Sequence, residues 1–231
     1  MTDKKPIYPH DVDAAFLIPY YRNMSLVLAE KIKNTKITPM QITFIAHFLG
    51  FLSGFFFYLA EYKYLVIGVI VIFLSNLLDF LDGSLARIRK ERTRLGGFTD
   101  YLGDAFKWTA MFLGITLGVY KNTNDIKFLI LGFLATTSYI LARLAYEVYL
   151  RYFSEVASDI IKTQKARNKI ITQFFYDGQQ LLPLIMIAAL FNKLDWLLIL
   201  FGIYGPIFIF IEFFVMRYKI KKIDPKGFPK D

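Results

Sequence analysis

The sequence predicts an all-α membrane protein: six transmembrane helices preceded by an amphipathic interfacial helix. Three observations predict it. Of 231 residues, 55% are hydrophobic and only 20% charged, a balance rare in a soluble domain of this length. The apolar residues gather into runs of about twenty, the length a helix needs to cross a bilayer. The links between those runs alternate between basic and nearly neutral, as the positive-inside rule requires. Backbone groups in lipid must bond within their own segment, which favours helices, and the alternation of a membrane barrel is absent. The chain has no cysteine, so disulfides, thiolate metal sites and cysteine nucleophiles are excluded.

The opening MTDKKPIYPHDVDAAF lacks the apolar core of a cleaved leader. In PYYRNMSLVLAEKIKNTKITP, Met24, Val27, Leu28 and Lys31 fall at i, i+3, i+4 and i+7, which fits a helix lying along a membrane surface. Pro39 marks a break before the first span. Spans are expected over 42–60, 64–82, 97–120, 126–150, 171–191 and 196–216. The links EYK, KNTND and NKLD are nearly neutral; RIRKERTR (87–94), KTQKARNK (162–169) and the tail MRYKIKK are basic. Both termini and the basic links then face the cytoplasm. Domain organisation follows: 1–40 a cytoplasmic segment with the juxtamembrane helix, 41–217 the six-helix transmembrane domain, 218–231 a basic tail. The net charge of +9 points to topology and anionic lipid, not to nucleic acid. Small size and no leader lean towards a prokaryotic inner membrane, with an organelle membrane also open.

Polarity concentrates in NLLDFLDGSLARIRKERTRLGGFTDYLGD, residues 76–104. Asp79 and Asp82 lie i, i+3, about 60° apart on a helix; Asp100 and Asp104 lie i, i+4, about 40° apart. Each pair shares a helical face. The eighteen residues from Tyr64 rise about 27 Å, so Asp79 and Asp82 come near the cytoplasmic interface. The third span returns from that side, which puts Asp100 and Asp104 at the same depth. Four carboxylates this close repel one another unless cations compensate. Hard divalent ions with oxygen ligands fit best, Mg²⁺ or Mn²⁺ beside phosphates, and four carboxylates can hold two of them. The alternative is neutralisation by Lys and Arg alone, although ionisable clusters within membranes default to function.

The residues Asp79, Asp82, Gly83, Ala86, Arg87, Gly96, Asp100 and Asp104 fit D-x2-D-G-x2-A-R-x8-G-x3-D-x3-D at every fixed position. This resembles the signature of the CDP-alcohol phosphotransferase family, whose members share the six spans and the amphipathic lead-in. ITPMQIT resembles the family's "TPN" start to the first span, with Met40 where Asn is usual. The resemblance implies transfer of a phosphoalcohol group from a CDP-alcohol to a second alcohol, with release of CMP. It implies metal ligation by Asp79, Asp82, Asp100 and Asp104, with Asp104 also the general base. It implies that Arg87 meets the diphosphate, and it favours a homodimer. Gly83 and Gly96 would let nucleotide or metal approach the backbone; Ala86 reads as a small packing residue beside the CDP. Arg89, Lys90, Arg92 and Arg94 read as positive-inside charge.

Three residues are candidates for the acceptor. Lys107 shares the face of Asp100 and Asp104 and either meets a phosphate or pairs with Asp104. Arg143, two turns inside the fourth span, either receives a phosphate or pairs with Glu147. Ser138 is a weaker candidate. A polyol phosphate, inositol phosphate or glycerol phosphate, suits these cations; serine or an amino alcohol competes. The donor is CDP-diacylglycerol, its ether-lipid equivalent, or a soluble CDP-alcohol. Glycines at 50 and 54, and at 114 and 118, give two GxxxG spacings, read as close helix packing within the chain or as a dimer face. His10 and His47 look isolated. An intramembrane prenyltransferase fits less well, because its second aspartate motif lies farther along. A metal transporter would need carboxylates at the midplane and paired repeats.

Overall fold

The computed structural model describes residues 18–164 and 178–223. His10, most of the basic link at 162–169, the start of the fifth expected span and the end of the tail lie outside them. The described residues form seven helices and no strand: α1 (Ile18–Ile32), α2 (Pro39–Leu59), α3 (Tyr62–Ile88), α4 (Arg94–Thr123), α5 (Lys127–Gln164), α6 (Gly178–Leu190) and α7 (Leu194–Ile223). Helices α2 to α7 fall where the six spans are expected. Among the described residues, four stretches are long and apolar enough to cross a membrane: Pro39–Leu59, Tyr62–Ile88, Lys127–Ala145 and Leu194–Tyr218. Helix α4 is as long, but its first half carries Asp100, Asp104 and Lys107; α6 is shorter.

Local chemistry sets the helix starts. Thr38 caps α2 in a reciprocal box: its hydroxyl accepts from the Gln41 N–H at 3.2 Å, and Gln41 Oε1 accepts from the Thr38 N–H at 2.9 Å. Pro39 follows at the first helical position, where its missing N–H does no harm. Thr93 caps α4 by accepting from the Gly96 N–H at 2.9 Å. The helical part of the sequence is therefore longer than expected around the basic link. Only residues 89–93 join α3 to α4, and Asp100 lies well inside α4.

Helices α2, α3 and α4 pack together, α1 lies on α3, and α5 packs on α4 and α7. In lipid, excluding water between helices gains little, so close backbone approach carries much of the association. A Cβ at Gly114 would fall 2.0 Å from the Gly54 carbonyl oxygen, and one at Gly118 2.3 Å from that of Phe57. Gly54 and Gly114, one from each GxxxG spacing, meet across the α2–α4 crossing, and Gly118 meets Phe57 there, which is the packing reading of these three glycines. Buried Phe57, Trp108, Phe112, Tyr139 and Phe201 fill the core beside them.

Helix α1 packs on the protein through a face that the sequence reading did not name. Its buried residues are Tyr21, Ser25 and Ala29, with Leu28 packed partly beneath them. Tyr21 stacks on Phe80 with ring centroids 5.6 Å apart. Met24 and Val27 are 42% and 57% exposed, so the face they share points away from the protein. Arg89 also exceeds its expected role as topological charge. Its guanidinium donates to the backbone carbonyls of Ile32, Lys33, Thr35 and Ile37 at 2.7–2.9 Å. These are carbonyls that the end of α1 and the following link leave without helical partners. Arg89 thus ties α1 and the start of α2 to the end of α3.

Candidate active site

The four aspartates converge from α3 and α4. Asp79 lies within electrostatic reach of Asp82, Asp100 and Asp104, and Asp82 within reach of Asp100. The i, i+3 and i, i+4 spacings put each pair on one face, and the antiparallel packing turns the faces together. Asp82 is 7% exposed and accepts a hydrogen bond from the Thr43 hydroxyl of α2.

Lys107 stands among the carboxylates. Its ammonium is 2.5 Å from Asp104 Oδ1 and 3.4 Å from Asp79 Oδ1, with the side chain 1% exposed. Of its two sequence readings, the pairing with Asp104 is the contact present, and Asp79 shares it. The side chain fits because residue 50 is glycine: a Cβ there would lie 2.1 Å from Lys107 Cγ.

His47 is the residue that sequence reasoning missed. It is not isolated: its Nε2 lies 3.9 Å from Asp104 Oδ1 and 4.0 Å from Asp79 Oδ1. Its Nε2 is buried without a hydrogen-bond partner. Ring and α4 approach closely because residue 103 is glycine, where a Cβ would fall 2.3 Å from His47 Cε1. A signal was present. Thr43, His47, Gly50 and Gly54 fall at i, i+4, i+7 and i+11, a polar and small stripe on one face of an apolar helix. An ionisable residue in such a stripe marks a site more often than chance placement does.

Arg143 of α5 closes another side. Its guanidinium is 3.4 Å from Asp104 Oδ2 and donates to the Tyr139 hydroxyl at 3.1 Å. It also lies over the Tyr101 ring, 4.6 Å from the centroid, and the Tyr101 O–H donates to the Arg143 carbonyl at 3.4 Å. The alternative partner, Glu147, has a side chain outside the described residues. Ser138 is buried at 4% exposure, and among the described residues no hydrogen bond joins it to the aspartates. Arg87 is exposed at the end of α3, where it donates to the Ser84 hydroxyl at 3.1 Å. A Cβ at Gly83 would meet the Arg87 guanidinium at 3.4 Å, so that glycine borders the arginine. Gly96 donates to the α4 cap, and Ala86 is half-buried beside Arg87.

Converging carboxylates are the donor set that hard divalent ions take. Ligand atoms of His47, Asp79 and Asp104 lie within 4.8 Å of one another, so the residues fit a metal ion. The site thus joins groups that could hold a metal ion to the cations Lys107 and Arg143, an arrangement suited to phosphate chemistry.

The family model for CDP-alcohol phosphatidyltransferase matches residues 36–216, which include the whole aspartate site and Arg143. The chain belongs to the CDP-alcohol phosphatidyltransferase family. Among individual relatives, an uncharacterized protein of Aquifex aeolicus is 33% identical over 123 residues, 53% of this chain and 60% of that one. The archaetidylinositol phosphate synthase of Pyrococcus horikoshii is 34% identical over 82 residues, 36% of this chain and 42% of that one. The inner membrane protein YnjF of Escherichia coli is 36% identical over 107 residues, 46% of this chain and 50% of that one. The matched stretch therefore spans about half the length of these relatives. The crystal structure of Mycobacterium tuberculosis phosphatidylinositol phosphate synthase with CDP-DAG bound matches at TM-score 0.49 and 16% identity, covering 81% of this chain and 94% of that one.

Proposed function

We propose that the protein is an integral-membrane transferase that moves a phosphatidyl-type group from a CDP-alcohol to a polyol phosphate, releasing CMP. The donor is CDP-diacylglycerol or its ether-lipid equivalent; the acceptor is inositol phosphate or glycerol phosphate. One observation carries this reading. The family's eight fixed residues bring four carboxylates to one place, and a buried-side arginine, Arg143, stands 3.4 Å from the last of them. An arginine there offers a bidentate fork to an acceptor phosphate and leaves the acceptor hydroxyl beside Asp104. The name of the Pyrococcus relative supports an inositol phosphate acceptor over a free alcohol.

In this reading Asp104 takes the proton of the acceptor hydroxyl. The hydroxyl oxygen bonds to the phosphorus that carries the donor's alcohol, and the bond from that phosphorus to the CMP oxygen breaks. Asp79, Asp82, Asp100 and Asp104 would hold Mg²⁺ or Mn²⁺, which supplies charge neutralisation for the diphosphate and the departing CMP. Arg87 orients the diphosphate, with Gly83, Ala86 and Gly96 leaving room for the CDP. Lys107 and Arg143 hold Asp104, and buried Ser138 of α5 is the weaker acceptor-binding candidate.

The same reading takes α2 to α7 as six membrane spans and α1 as an interfacial helix, its exposed Met24 and Val27 facing lipid. The carboxylate end faces the cytoplasm with the basic 87–94 segment, the domain limits are 1–40, 41–217 and 218–231, and the protein works as a homodimer. Purified protein incubated with CDP-diacylglycerol, its ether-lipid equivalent or a soluble CDP-alcohol, against inositol phosphate, glycerol phosphate and serine, tests it by CMP release. We expect CMP only with a lipid donor and a phosphorylated acceptor, and a loss of about 10³-fold or more in Asp104→Asn, the scale of losing a general base. Metal uptake into vesicles with no CMP formed would mean a transporter instead.

A further inference from the structure

Resting on that reading, in which Arg87 orients the donor's diphosphate, we propose that α1 sets the pose of this arginine, with buried Ser25 and Ser84 as positioning residues. Three hydrogen bonds form one chain. Arg87 Nη2 donates to the Ser84 hydroxyl at 3.1 Å. The Ser84 and Ser25 hydroxyls lie 2.9 Å apart across the α1–α3 contact. The Ser25 hydroxyl donates to the Arg22 carbonyl at 2.9 Å. A hydroxyl has one proton to give. That of Ser25 is spent on Arg22, so Ser84 is the donor between the two serines. The chain therefore runs from Arg87 through Ser84 and Ser25 to the backbone of α1, and each hydroxyl both gives and accepts.

Burial and packing give the chain its purpose. Ser25 is 0% and Ser84 1% exposed, so neither hydroxyl has water to turn to. A serine within a helix otherwise turns its proton to a carbonyl of the preceding turn. Ser25 draws the Ser84 proton across to α1, which leaves a Ser84 lone pair for Arg87. Arg87 itself is exposed, and a long exposed side chain samples many rotamers unless something holds it. The Ser84 bond selects one that lies over Gly83, where a Cβ would meet Nη1 at 3.4 Å. The register of α1 is fixed on both sides of Ser25. Tyr21 stacks on Phe80, and Arg89 holds the carbonyls of Ile32, Lys33, Thr35 and Ile37. A helix that contributes nothing to the aspartate motif thus orders the diphosphate arginine before the donor binds, which spares that cost at binding.

The test is calorimetric titration of CDP into the full-length protein in detergent with Mg²⁺ present. We expect Ser84→Ala to weaken CDP binding about tenfold and Ser25→Ala about threefold, the range that one net hydrogen bond spans. The double variant should match Ser84→Ala alone, because the serines act in series. In an Arg87→Ala background neither serine substitution should change CDP affinity further. A merely structural pair would lower the thermal midpoint and leave CDP affinity at its wild-type value. That result overturns the proposal, as does a serine effect that persists without Arg87. Should Ser25→Ala fail to fold, Ser84→Ala with and without Arg87→Ala decides. CMP release by the wild-type preparation separates the two levels. CMP formed, with CDP affinity unmoved by either serine, overturns only the inference, whereas no CMP from any CDP-alcohol overturns the transferase reading on which it stands.

Discussion

The α2–α4 crossing uses glycine in two ways at its two ends. At one end Gly54, Gly114 and Gly118 bring backbone against backbone: added Cβ atoms would strike carbonyl oxygens at 2.0–2.7 Å. At the other, Gly50 and Gly103 leave room for side chains, and Lys107 and His47 fill it. A backbone cannot step aside, but a lysine stem can swing. The first end therefore holds the helices together, and the second places charge against Asp79 and Asp104. A single helix pair thus separates the structural task from the chemical one along its length.

The largest effect should come from breaking the backbone end. Gly114→Ala puts a methyl group 2.0 Å from the Gly54 carbonyl oxygen, and the helices must part to accept it. Overpacking of a well-fitted contact costs about 3 kcal/mol at such a site. Thermal unfolding in detergent should show a fall in midpoint of several degrees, with activity per folded molecule nearly retained. A large loss of activity without a stability loss would show that the two ends are not separate.

Gly50→Ala tests the opposite end. The methyl displaces the Lys107 stem, which is flexible, so stability should fall by only about 1 kcal/mol. The ammonium moves with the stem, and a displacement near 1 Å at a charged site can cost about 100-fold in rate. CMP release should therefore fall far more than the unfolding midpoint. If Gly50→Ala and Gly114→Ala lost stability equally and activity equally, the distinction between the ends would collapse.

These contrasts mark the limit of what the sequence reveals. Asp79, Asp82, Asp100 and Asp104 were legible because helical spacing alone puts each pair on one face, and the membrane makes four carboxylates conspicuous. The all-helical architecture was legible from apolar runs for the same reason. His47 was not assigned, because its partners lie on α3 and α4, and no periodicity within α2 sets the register between helices. Gly50 and Gly103 were illegible as seats for side chains, since a glycine in a span reads as packing until its neighbour is known. Arg89 hid in a basic run that topology already explained; only the fold brings the carbonyls of Ile32, Lys33, Thr35 and Ile37 to it. The face by which α1 docks was not legible for the same reason. Met24 and Val27 form the exposed apolar stripe, and the protein takes Tyr21, Ser25 and Ala29 on another face.

A smaller effect sharpens the chemical end. Arg143 lies 3.4 Å from Asp104 Oδ2 and is held by Tyr139 and the Tyr101 ring, away from Gly54 and Gly114. Arg143→Ala should raise the KM for a phosphorylated acceptor about tenfold, the worth of one hydrogen bond to a charged group. The KM for the CDP-alcohol should stay near its wild-type value. An unchanged acceptor KM would remove the phosphate from this pocket and return free alcohols to consideration.

The smallest effect lies just outside the crossing and calibrates both ends. Thr38 holds the first turn of α2 through its two hydrogen bonds with Gln41, at 2.9 and 3.2 Å, and touches neither Lys107 nor the glycine contacts. Thr38→Ala removes the hydroxyl half of the box and should lower stability by about 1 kcal/mol. That loss resembles the one expected for Gly50→Ala. The two variants should differ in chemistry, because Thr38→Ala frays a helix start without moving the lysine. CMP release per folded molecule should then match wild type in Thr38→Ala and fall in Gly50→Ala. Equal loss of activity in both would mean that the site responds to the stability of α2 as a whole, not to the seat that Gly50 provides.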